Sequence, residues 1–392
     1  MARHPRLSGD GARVFGGFVF CAGAAMLPPL VLLVACAMSV AVSFAEFAPR
    51  LIAWQRQHGR HGLPWQVDDP YKVWVSEIML QQTQVSTVLG YYPAFLQRFP
   101  DVATLAAAPL DDVLAAWSGL GYYSRARNLH RAAGQVMNEF AGRFPDSQDA
   151  LMTLCGVGRS TAAAIAAFAF ARRAAILDGN VKRVLTRCYG IEGWPGDKAI
   201  ENQLWTLAEQ LLPDSVAHMA AYTQGLMDLG SLLCVRGQPR CGECPMADGC
   251  VARAQGRQRA LPTARPRKAQ PLRSTVMLLA RNAAGEVWLQ RRPDSGVWGG
   301  LWSLPELADI GDAPHWLAEA GWTAAPLTPP WPTVQHVFTH FRLDITPQPV
   351  QVRATAGAGP ADGRWWTQEA ALALGLPAPV RRLLDTRQDS LW

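Results

Sequence analysis

A glycine hairpin that leads into a long apolar helix dominates the middle of the chain, between Leu154 and Val184. Gly156-Val157-Gly158 is followed directly by an alanine-rich segment, and glycine permits both positive φ and close backbone approach. The first turn of a helix presents unpaired N–H groups at the positive end of the helix dipole. The hairpin therefore predicts a helical fold with a backbone phosphate site, although such glycines before a helix also occur in ordinary tight turns.

A lone carboxylate, Asp178, follows this helix, between apolar Ile176-Leu177 and a Gly179-Asn180 turn. It is predicted to cap the helix that begins at residues 181–184. Because N–H donors stabilise a carboxylate in its charged form, capping is compatible with catalysis. We expect Asp178 to be an ionised acid held by its own local donors.

A second isolated acid, Glu77, is the only acidic residue between Asp69 and Asp101 and has apolar neighbours. Apolar surroundings raise the pKa of a carboxyl, which suits a general acid near neutral pH. The ordinary alternative is a glutamate on the solvent face of an amphipathic helix. The adjacent segment Gln81-Gln82-Thr83-Gln84 favours the catalytic interpretation, because amide side chains bond base edges and can wedge where a base has left its stack.

The composition indicates a globular chain of more than one domain. With 392 residues, 49% hydrophobic and 17% charged, the chain is expected to form two or three domains and is not typical of disorder. The net charge of +6 and the pI near 9.0 mildly favour a polyanionic partner, but a solvated basic surface explains them equally well. No period of about 20–50 residues repeats, which argues against solenoids and propellers.

The N-terminus carries an uncharged run from Val14 to Ala45, preceded by basic residues. Such a run is long enough for a membrane span or an export signal. We favour a natural start at Met38, because the downstream motifs indicate intracellular nucleic-acid chemistry. The expectation is a cytoplasmic protein with no membrane partner unless the leader, residues 1–45, is real.

Four cysteines form one compact loop, Cys234-x6-Cys241-x2-Cys244-x5-Cys250. Disulfides are disfavoured in a reducing compartment. Structural zinc usually shows two Cys-x-x-Cys pairs separated by a longer loop, whereas only one such pair is present. A [4Fe–4S] cluster ligated by all four thiolates fits this spacing better.

The periodicity changes along the chain and predicts its division into domains. It is helical from Val85 to Leu212, and a last helix from His218 to Leu233 carries Gln224 and Asp228 one turn apart. A basic, proline-rich linker separates it from alternating, strand-like segments. The predicted fold is an all-α domain followed by an α+β domain. The predicted parts are the apolar leader 1–45, a helical core 46–233, the cysteine loop 234–255, the linker 256–273 and a C-terminal domain 274–392.

Five motifs together resemble the adenine DNA glycosylases of the MutY type, in the helix-hairpin-helix glycosylase superfamily. They are the cysteine loop and the segments VSEIMLQQTQV, GLGYYSRARNL, GVGRSTAAAI and ILDGNVKRVL. The resemblance extends from Phe47 to Trp392 and implies a six-helix barrel, an iron–sulphur domain and a C-terminal Nudix-like domain. It further implies a monomer that excises adenine mispaired with 8-oxoguanine or guanine in double-stranded DNA.

The resemblance also assigns roles to residues. Glycosidic cleavage needs an acid for the leaving group and a stabiliser for the oxocarbenium-like sugar. Glu77 would protonate the flipped adenine, Asp178 would stabilise the cation and Asn180 would orient Asp178. Trp65 and Gln224 would line the adenine pocket. The expected DNA contacts are Gln81, Gln82, Tyr122, Gly156, Val157, Gly158, Ser160 and Lys182.

One position in the hairpin motif separates subclasses, and another departs from the family pattern. Lyase-competent relatives of the endonuclease III type carry a lysine where this chain has Ser160, and an amine is needed for a Schiff base. The predicted enzyme is therefore a monofunctional glycosylase, with Lys182 capable of a weak side reaction at most. The alternatives are an endonuclease III-like glycosylase/lyase and a non-catalytic iron–sulphur DNA-binding module. Cys155, where the family commonly has proline, is expected to loosen the turn slightly.

The C-terminal domain matches the Nudix pattern only in part. Gly300, Glu306, Glu319 and Gly321 fall in register, whereas Pro314, His315 and Ala318 replace an arginine and two acids. With its metal-binding carboxylates depleted, the domain is predicted to be a recognition module and not a pyrophosphatase. Phe338-Thr339-His340 occupies the loop in which the family reads 8-oxoguanine through Phe-Ser-His.

Overall fold

The computed structural model describes residues 41–266, 270–338, 340–354 and 359–385. The proposed start at Met38 and nearly all of the apolar leader lie outside these residues. Among the described residues, no helix combines the length and the apolar character needed to cross a bilayer.

The first part of the chain is helical, as predicted. Its α-helices are α1 (Phe44–His58), α2 (Pro70–Leu80), α3 (Val85–Arg98), α4 (Val102–Ala107), α5 (Leu110–Ala116), α6 (Ser124–Glu139), α7 (Gln148–Leu151), α8 (Arg159–Phe170), α9 (Gly179–Tyr189), α10 (Lys198–Gln210), α11 (Met219–Asp228) and α12 (Val251–Ala254). Side-chain caps begin several of them: Asp69 accepts the amides of Tyr71 and Lys72 at the start of α2. The predicted helix 218–233 is α11 continued by a π-helical turn, Leu229–Leu233.

Helix α8 lies between two hydrophobic cores, which explains its alanine-rich sequence. Ala162, Ile165 and Ala166 belong to the core formed with α2–α6. Ala163, Ala164 and Ala167 belong to the core formed with α1, α9, α10 and α11. A helix packed on both sides needs small residues so that its neighbours approach closely, and these six side chains are at most 1% exposed. The hairpin at the start of α8 is thereby fixed to the centre of the helical domain.

The C-terminal part is α+β, as predicted. Its strands are β1 (Leu272–Arg281), β2 (Val287–Arg291), β3 (Trp302–Ser303), β4 (Glu306–Leu307), β5 (Trp322–Ala324), β6 (Val334–Val337), β7 (Arg342–Ala354) and β8 (Gly363–Trp366). The sheet is mixed, with order β3-β2-β1-β7-β5; β1 pairs with β7 in parallel and with β2 antiparallel. Its helices are α13 (Ala313–Glu319), α14 (Gln368–Leu372) and α15 (Ala378–Asp385).

Both faces of the central strand β1 are covered, which is why residues 276–280 are apolar without alternation. Met277 and Leu279 pack in a core that includes residues of α14 and α15. Val276, Leu278 and Ala280 face a second core with α13.

The two parts of the chain contact one another directly. Leu301 is fully buried in the helical core formed with α2–α6. The Tyr123 hydroxyl donates to the Leu376 carbonyl at 2.9 Å, and Arg381 Nη2 donates to Ser118 Oγ at 3.0 Å. This contact holds the C-terminal domain against the loop that carries Tyr122.

Candidate active site

Glu77 lies on α2 and lines two neighbouring cavities, of about 660 and 510 Å³. Its side chain is half-buried, open to the cavities but otherwise enclosed by protein. Burial, and secondarily the charge of Asp178, raise the pKa of the Glu77 carboxyl to about 8. The predicted rise in its pKa is confirmed, and the alternative of a solvated helix face is wrong. Glu77 therefore holds a proton at neutral pH and can release it into either cavity.

Asp178 lines the second cavity and caps α9, as predicted. Its Oδ1 accepts the amides of Asn180 at 3.0 Å and Val181 at 2.8 Å. The expectation that these donors dominate its ionisation is wrong, because burial outweighs them and raises the pKa of Asp178 above its usual value. A neighbouring positive charge stabilises a carboxylate in such a buried site more strongly than it stabilises a solvated one.

Asn180 connects Asp178 to a buried cation. Asn180 Nδ2 donates to Asp178 Oδ2 at 3.3 Å, and its Oδ1 accepts from Arg183 Nη2 at 2.8 Å. The amide is thus held from both ends and fixes the direction of the Asp178 carboxylate. Ser160, in the same cavity, accepts the Leu177 amide at 3.0 Å through Oγ and so orders the segment before Asp178.

Trp65 and Gln224 meet Glu77 in the first cavity. Trp65 is 6% exposed and packs edge-on against Tyr92, with ring centroids 5.5 Å apart. Gln224 projects from α11, and its Nε2 donates to Asp228 Oδ1 at 2.8 Å. An aromatic face, an amide and a protonated carboxyl therefore line one concave site, the composition expected for a small-molecule or base pocket.

The glycine hairpin forms a tight turn at the start of α8 and uses one of its own amides. Gly156 has φ of 78°, and a Cβ there would meet Asn128 Cβ at 2.8 Å, so the turn requires glycine. The Val157 amide donates to the Leu154 carbonyl at 3.1 Å. The Val157 N–H is therefore used within the turn in this structure, and the phosphate contact through Val157 stays a prediction. Gly156 and Gly158 are exposed, and Gly158 precedes the first amides of α8.

Two other hairpin neighbours tie the turn in place. Gln81 Nε2 donates to Thr161 Oγ1 at 3.2 Å and lies 3.5 Å from the Gly156 carbonyl. The Cys155 amide, which proline would lack, donates to Gln135 Oε1 at 2.8 Å. Cys155 was expected to loosen the turn, but this bond anchors it to α6.

Gln82 and Tyr122 share an unusual backbone state. Both have positive φ, 58° and 47°, and Tyr122 is 50% exposed. Positive φ is uncommon outside glycine and persists where the surrounding structure enforces it. Two exposed side chains held in strained turns are suited to enter a distorted duplex.

Sequence reasoning missed the residue that joins these two turns, Arg125. It is 7% exposed, and burial lowers its pKa to about 10. Its Nη1 donates to the carbonyls of Ile78, Met79 and Gln81 at 2.6–2.9 Å. Its Nη2 donates to Thr83 Oγ1, Leu120 O and Gly121 O at 3.0–3.2 Å. The sequence signal that could have identified Arg125 is its position in GLGYYSRARNL, two residues after Tyr123.

Lys182 is not brought to the cavities. Its Nζ pairs with Oε1 of Glu201, on α10, at 2.6 Å, and Lys182 lines neither cavity at Glu77. The residue predicted as a DNA contact and as a residual amine is therefore engaged elsewhere.

The four loop cysteines converge on one cavity. Cys234, Cys241, Cys244 and Cys250 are free thiols that line it together with Arg187. Arg187 Nη1 lies 3.3 Å from Cys234 Sγ, which offsets thiolate charge. Within the described ranges, no three His, Cys, Asp or Glu side chains are arranged to hold a metal ion. A four-iron cluster bonds each of four thiolates to a different iron, and these four unpaired cysteines beside an arginine are a donor set that fits it.

The C-terminal domain meets Tyr122 at a cleft of about 570 Å³. Trp298, His336 and Phe338 line the cleft from the domain, and Phe338 stacks on Phe341 with centroids 4.5 Å apart. His340 is exposed, and Thr339 lies outside the described residues. The predicted wedge Tyr122 and the predicted reading residue Phe338 thus share one cleft.

The two Nudix acids that survive in this chain contact basic side chains. Glu306 pairs with Arg292, and Glu319 Oε1 lies 3.3 Å from His315 Nε2. The expectation that the domain is a recognition module and not a pyrophosphatase stays a prediction.

Two family models and several known proteins match this chain. Residues 75–210 match the HhH-GPD superfamily of base excision DNA repair proteins, and residues 276–386 match the NUDIX domain. The chain is 33% identical to the adenine DNA glycosylase of Buchnera aphidicola (strain APS), over 88% of this chain and 99% of that protein. It is 33% identical to the human adenine DNA glycosylase, over 82% of this chain and 70% of that protein. A solved thermostable thymine-DNA glycosylase is 28% identical, covering 54% of this chain and 97% of its own, with a TM-score of 0.48. Identity of this extent to curated relatives, together with both domain matches, shows that the chain belongs to the adenine DNA glycosylase family of base excision repair enzymes.

Proposed function

We propose that this chain excises adenine mispaired with 8-oxoguanine or guanine from double-stranded DNA, as a monofunctional glycosylase. The observation that carries the proposal is Glu77, whose raised pKa keeps a proton between the two cavities. A flipped adenine would occupy the cavity lined by Trp65 and Gln224. Its deoxyribose would extend towards the cavity that holds Asp178.

In this mechanism Glu77 gives its proton to a ring nitrogen of adenine, and the glycosidic electron pair leaves with the base. The sugar becomes an oxocarbenium-like cation, which Asp178 stabilises electrostatically or by transient covalency. Asn180 keeps the Asp178 carboxylate directed at the sugar. Water then adds to C1′, and its proton is taken up by the Glu77 carboxylate, which restores the acid.

The proposal includes the absence of lyase chemistry. Ser160 stands at the lysine position of lyases, and Lys182 is paired with Glu201. Without an amine at the sugar no Schiff base forms, and the product is an abasic site. This argues against the endonuclease III-like alternative. The retention of Glu77, Asp178 and Asn180 in one site argues against a non-catalytic DNA-binding module.

Recognition of the opposite base is proposed for the cleft shared by Tyr122 and Phe338. Gln82 and Tyr122 would enter the stack vacated by the adenine, and Phe338-Thr339-His340 would contact 8-oxoguanine. Gly156 and Gly158, with Ser160 and Gln81 nearby, would hold a phosphate at the start of α8. We further propose a cytoplasmic monomer.

The proposed cofactor is a [4Fe–4S] cluster held by Cys234, Cys241, Cys244 and Cys250. It would supply structural bracing of the loop between residues 234 and 250 and take no part in base chemistry. Cys241→Ser is expected to lower both iron content and DNA affinity, measured by iron analysis and fluorescence anisotropy. If both stayed at wild-type values, the cluster assignment would be wrong.

A labelled duplex with one adenine opposite 8-oxoguanine tests the proposed reaction. Breakage of the adenine strand only after alkali is expected, because a monofunctional enzyme leaves the abasic strand intact. Breakage without alkali would show a lyase. Tight binding with no adenine release would favour the alternative of a non-catalytic DNA-binding module.

A further inference from the structure

Asp228 is a fully buried carboxylate behind the first cavity, and its oxygens accept three donors. Its Oδ2 accepts the Arg60 amide at 2.8 Å, and its Oδ1 accepts Arg60 Nε at 2.7 Å. Gln224 Nε2 is the third donor, at 2.8 Å from Oδ1. The turn before Arg60 is tightly packed against this carboxylate, since a Cβ at Gly59 would lie 2.9 Å from Asp228 Oδ2.

The pairing fixes the orientation of the Gln224 amide. A carboxylate bonded to a guanidinium accepts hydrogen bonds and donates none, so Gln224 must turn its NH₂ group towards Asp228. The oxygen of the Gln224 amide then points away from Asp228. In the described part of the chain no group bonds this oxygen, and it is not among the fully buried unpaired atoms. Gln224 lines the cavity, so the oxygen is the group it can offer there.

We propose that Asp228 is a positioning residue that makes Gln224 a hydrogen-bond acceptor towards the base, and that this pair selects purines with an amino group at C6 over purines with a carbonyl at C6. The proposal rests on the proposed function, because it takes the cavity at Glu77 as the base pocket. Asp228 itself does not line either cavity and acts through Gln224.

The chemistry of the bases makes the proposal discriminating. The exocyclic amine of adenine donates to an acceptor, whereas the C6 carbonyl of hypoxanthine would face the Gln224 oxygen as a second acceptor. Purine carries hydrogen at C6, so it neither donates a hydrogen bond to the Gln224 oxygen nor is repelled by it. A free amide could rotate and serve either base, but one pinned by a carboxylate cannot.

The test compares single-turnover excision of adenine, hypoxanthine and purine, each opposite 8-oxoguanine in the same duplex. For Gln224→Leu we expect the preference for adenine over hypoxanthine, relative to wild type, to fall about tenfold, the value of one neutral hydrogen bond. For Asp228→Asn we expect a comparable fall although Gln224 is retained, because an amide no longer dictates the Gln224 orientation. The double variant should lose no more selectivity than either single variant.

Ratios between bases measured in one preparation do not depend on the folded fraction, so a merely structural role of Asp228 would lower all three rates equally. Asp112→Asn, which alters a surface carboxylate paired with Arg98, is the matched control and should leave the ratios unchanged. Unchanged selectivity in Asp228→Asn would overturn the proposal. If Asp228→Asn gives no soluble protein, unchanged selectivity in Gln224→Leu overturns it instead, and reduced selectivity supports it. Failure of the wild type to release adenine would sink the proposed function, not this inference alone.

Discussion

At the scale of single residues, the site depends on two carboxyls that burial affects in the same direction. Burial raises the pKa of both Glu77 and Asp178, but the two differ in their partners. Asp178 has two backbone amides, Asn180 and the charge of Arg183 to favour its ionised form. For Glu77 the neighbouring charge of Asp178 adds to the rise in its pKa. This asymmetry separates an acid from an electrostatic stabiliser.

The pH dependence of catalysis should report Glu77. Because the protonated form acts, kcat/KM for adenine excision is expected to fall as pH rises through about 8, the pKa of the free enzyme's acid. A profile measured between roughly pH 6 and pH 10, which brackets this titration on both sides, would show the decline. A rate that stayed constant through pH 9, about one unit above that pKa, would contradict this role for Glu77.

Stability should respond to the same group. The pKa of Glu77 in the folded state, about 8, exceeds the ordinary value of 4.5, so the unfolded chain loses this proton at lower pH than the folded chain does. Stability from this group is complete below about 4.5 and declines up to about 8. Glu77→Gln is therefore expected to raise the Tm relative to wild type at pH 8 and to have little effect near pH 4.5, measured by calorimetry. An equal change in Tm at both values would contradict the linkage.

Much of this site was predictable from the sequence, because isolated acids in apolar segments stand out. The cap at Asp178 followed from residue type and spacing. The net direction of its pKa did not, since it depends on how deeply a tertiary contact buries the carboxyl. The engagement of Lys182 with Glu201, 19 residues away along the chain, and the use of the Val157 amide in a turn were likewise invisible in the sequence.

At the scale of elements, Arg125 joins the C-terminal end of α2 to the loop before α6. Its guanidinium lies 5.3 Å from the Trp117 ring and 5.7 Å from the Tyr122 ring, in addition to its hydrogen bonds. The turns bearing Gln82 and Tyr122 are thus organised by one side chain. Helix periodicity predicted both elements, but a single residue that bonds two turns has no periodic signature.

Removing this guanidinium should loosen both turns. Arg125→Met is expected to cost about 3 kcal/mol in unfolding free energy, because buried carbonyls lose their donor. Excision in duplex DNA should fall further than the fraction of folded protein accounts for. Arg125→Lys should recover only part of the lost stability and excision, because a lysine lacks the planar guanidinium that donates in two directions.

The matched control is Arg98→Met, which removes a half-exposed arginine paired with Asp112. Urea unfolding would give the stability, and a fluorescent base analogue beside the adenine would report unstacking of the duplex. If the Arg125→Met variant unstacked the duplex as much as wild type does, the two turns would hold their shape without the guanidinium.

At the scale of the whole molecule, the C-terminal domain contributes to the helical core and to the cleft at Tyr122. Leu301 is fully buried among residues of α2–α6, and Arg291 pairs with Asp111 at 3.3 Å. A change in composition and period predicted two structural classes along the chain, an all-α part followed by an α+β part. The contact between the domains could not be predicted from the sequence, because a loop leucine that packs against another domain looks like any other apolar residue.

Leu301→Ala tests this coupling. Loss of a fully buried leucine at the contact is expected to cost about 3 kcal/mol in unfolding free energy and to weaken selection of 8-oxoguanine over guanine opposite adenine. Calorimetry and paired excision rates would measure both. Unchanged opposite-base selectivity, despite the lost stability, would show that the domains act independently.

The most direct test of the central claim is single-turnover adenine release by Glu77→Gln from a duplex with adenine opposite 8-oxoguanine. The substitution keeps the shape and hydrogen-bonding capacity of the side chain and removes only its acidic proton. We expect DNA affinity within about threefold of wild type and a rate lower by about 10²–10⁴, the usual contribution of a general acid. A rate within about threefold of wild type, with the same affinity, would contradict the assignment of Glu77 as the acid that drives base release.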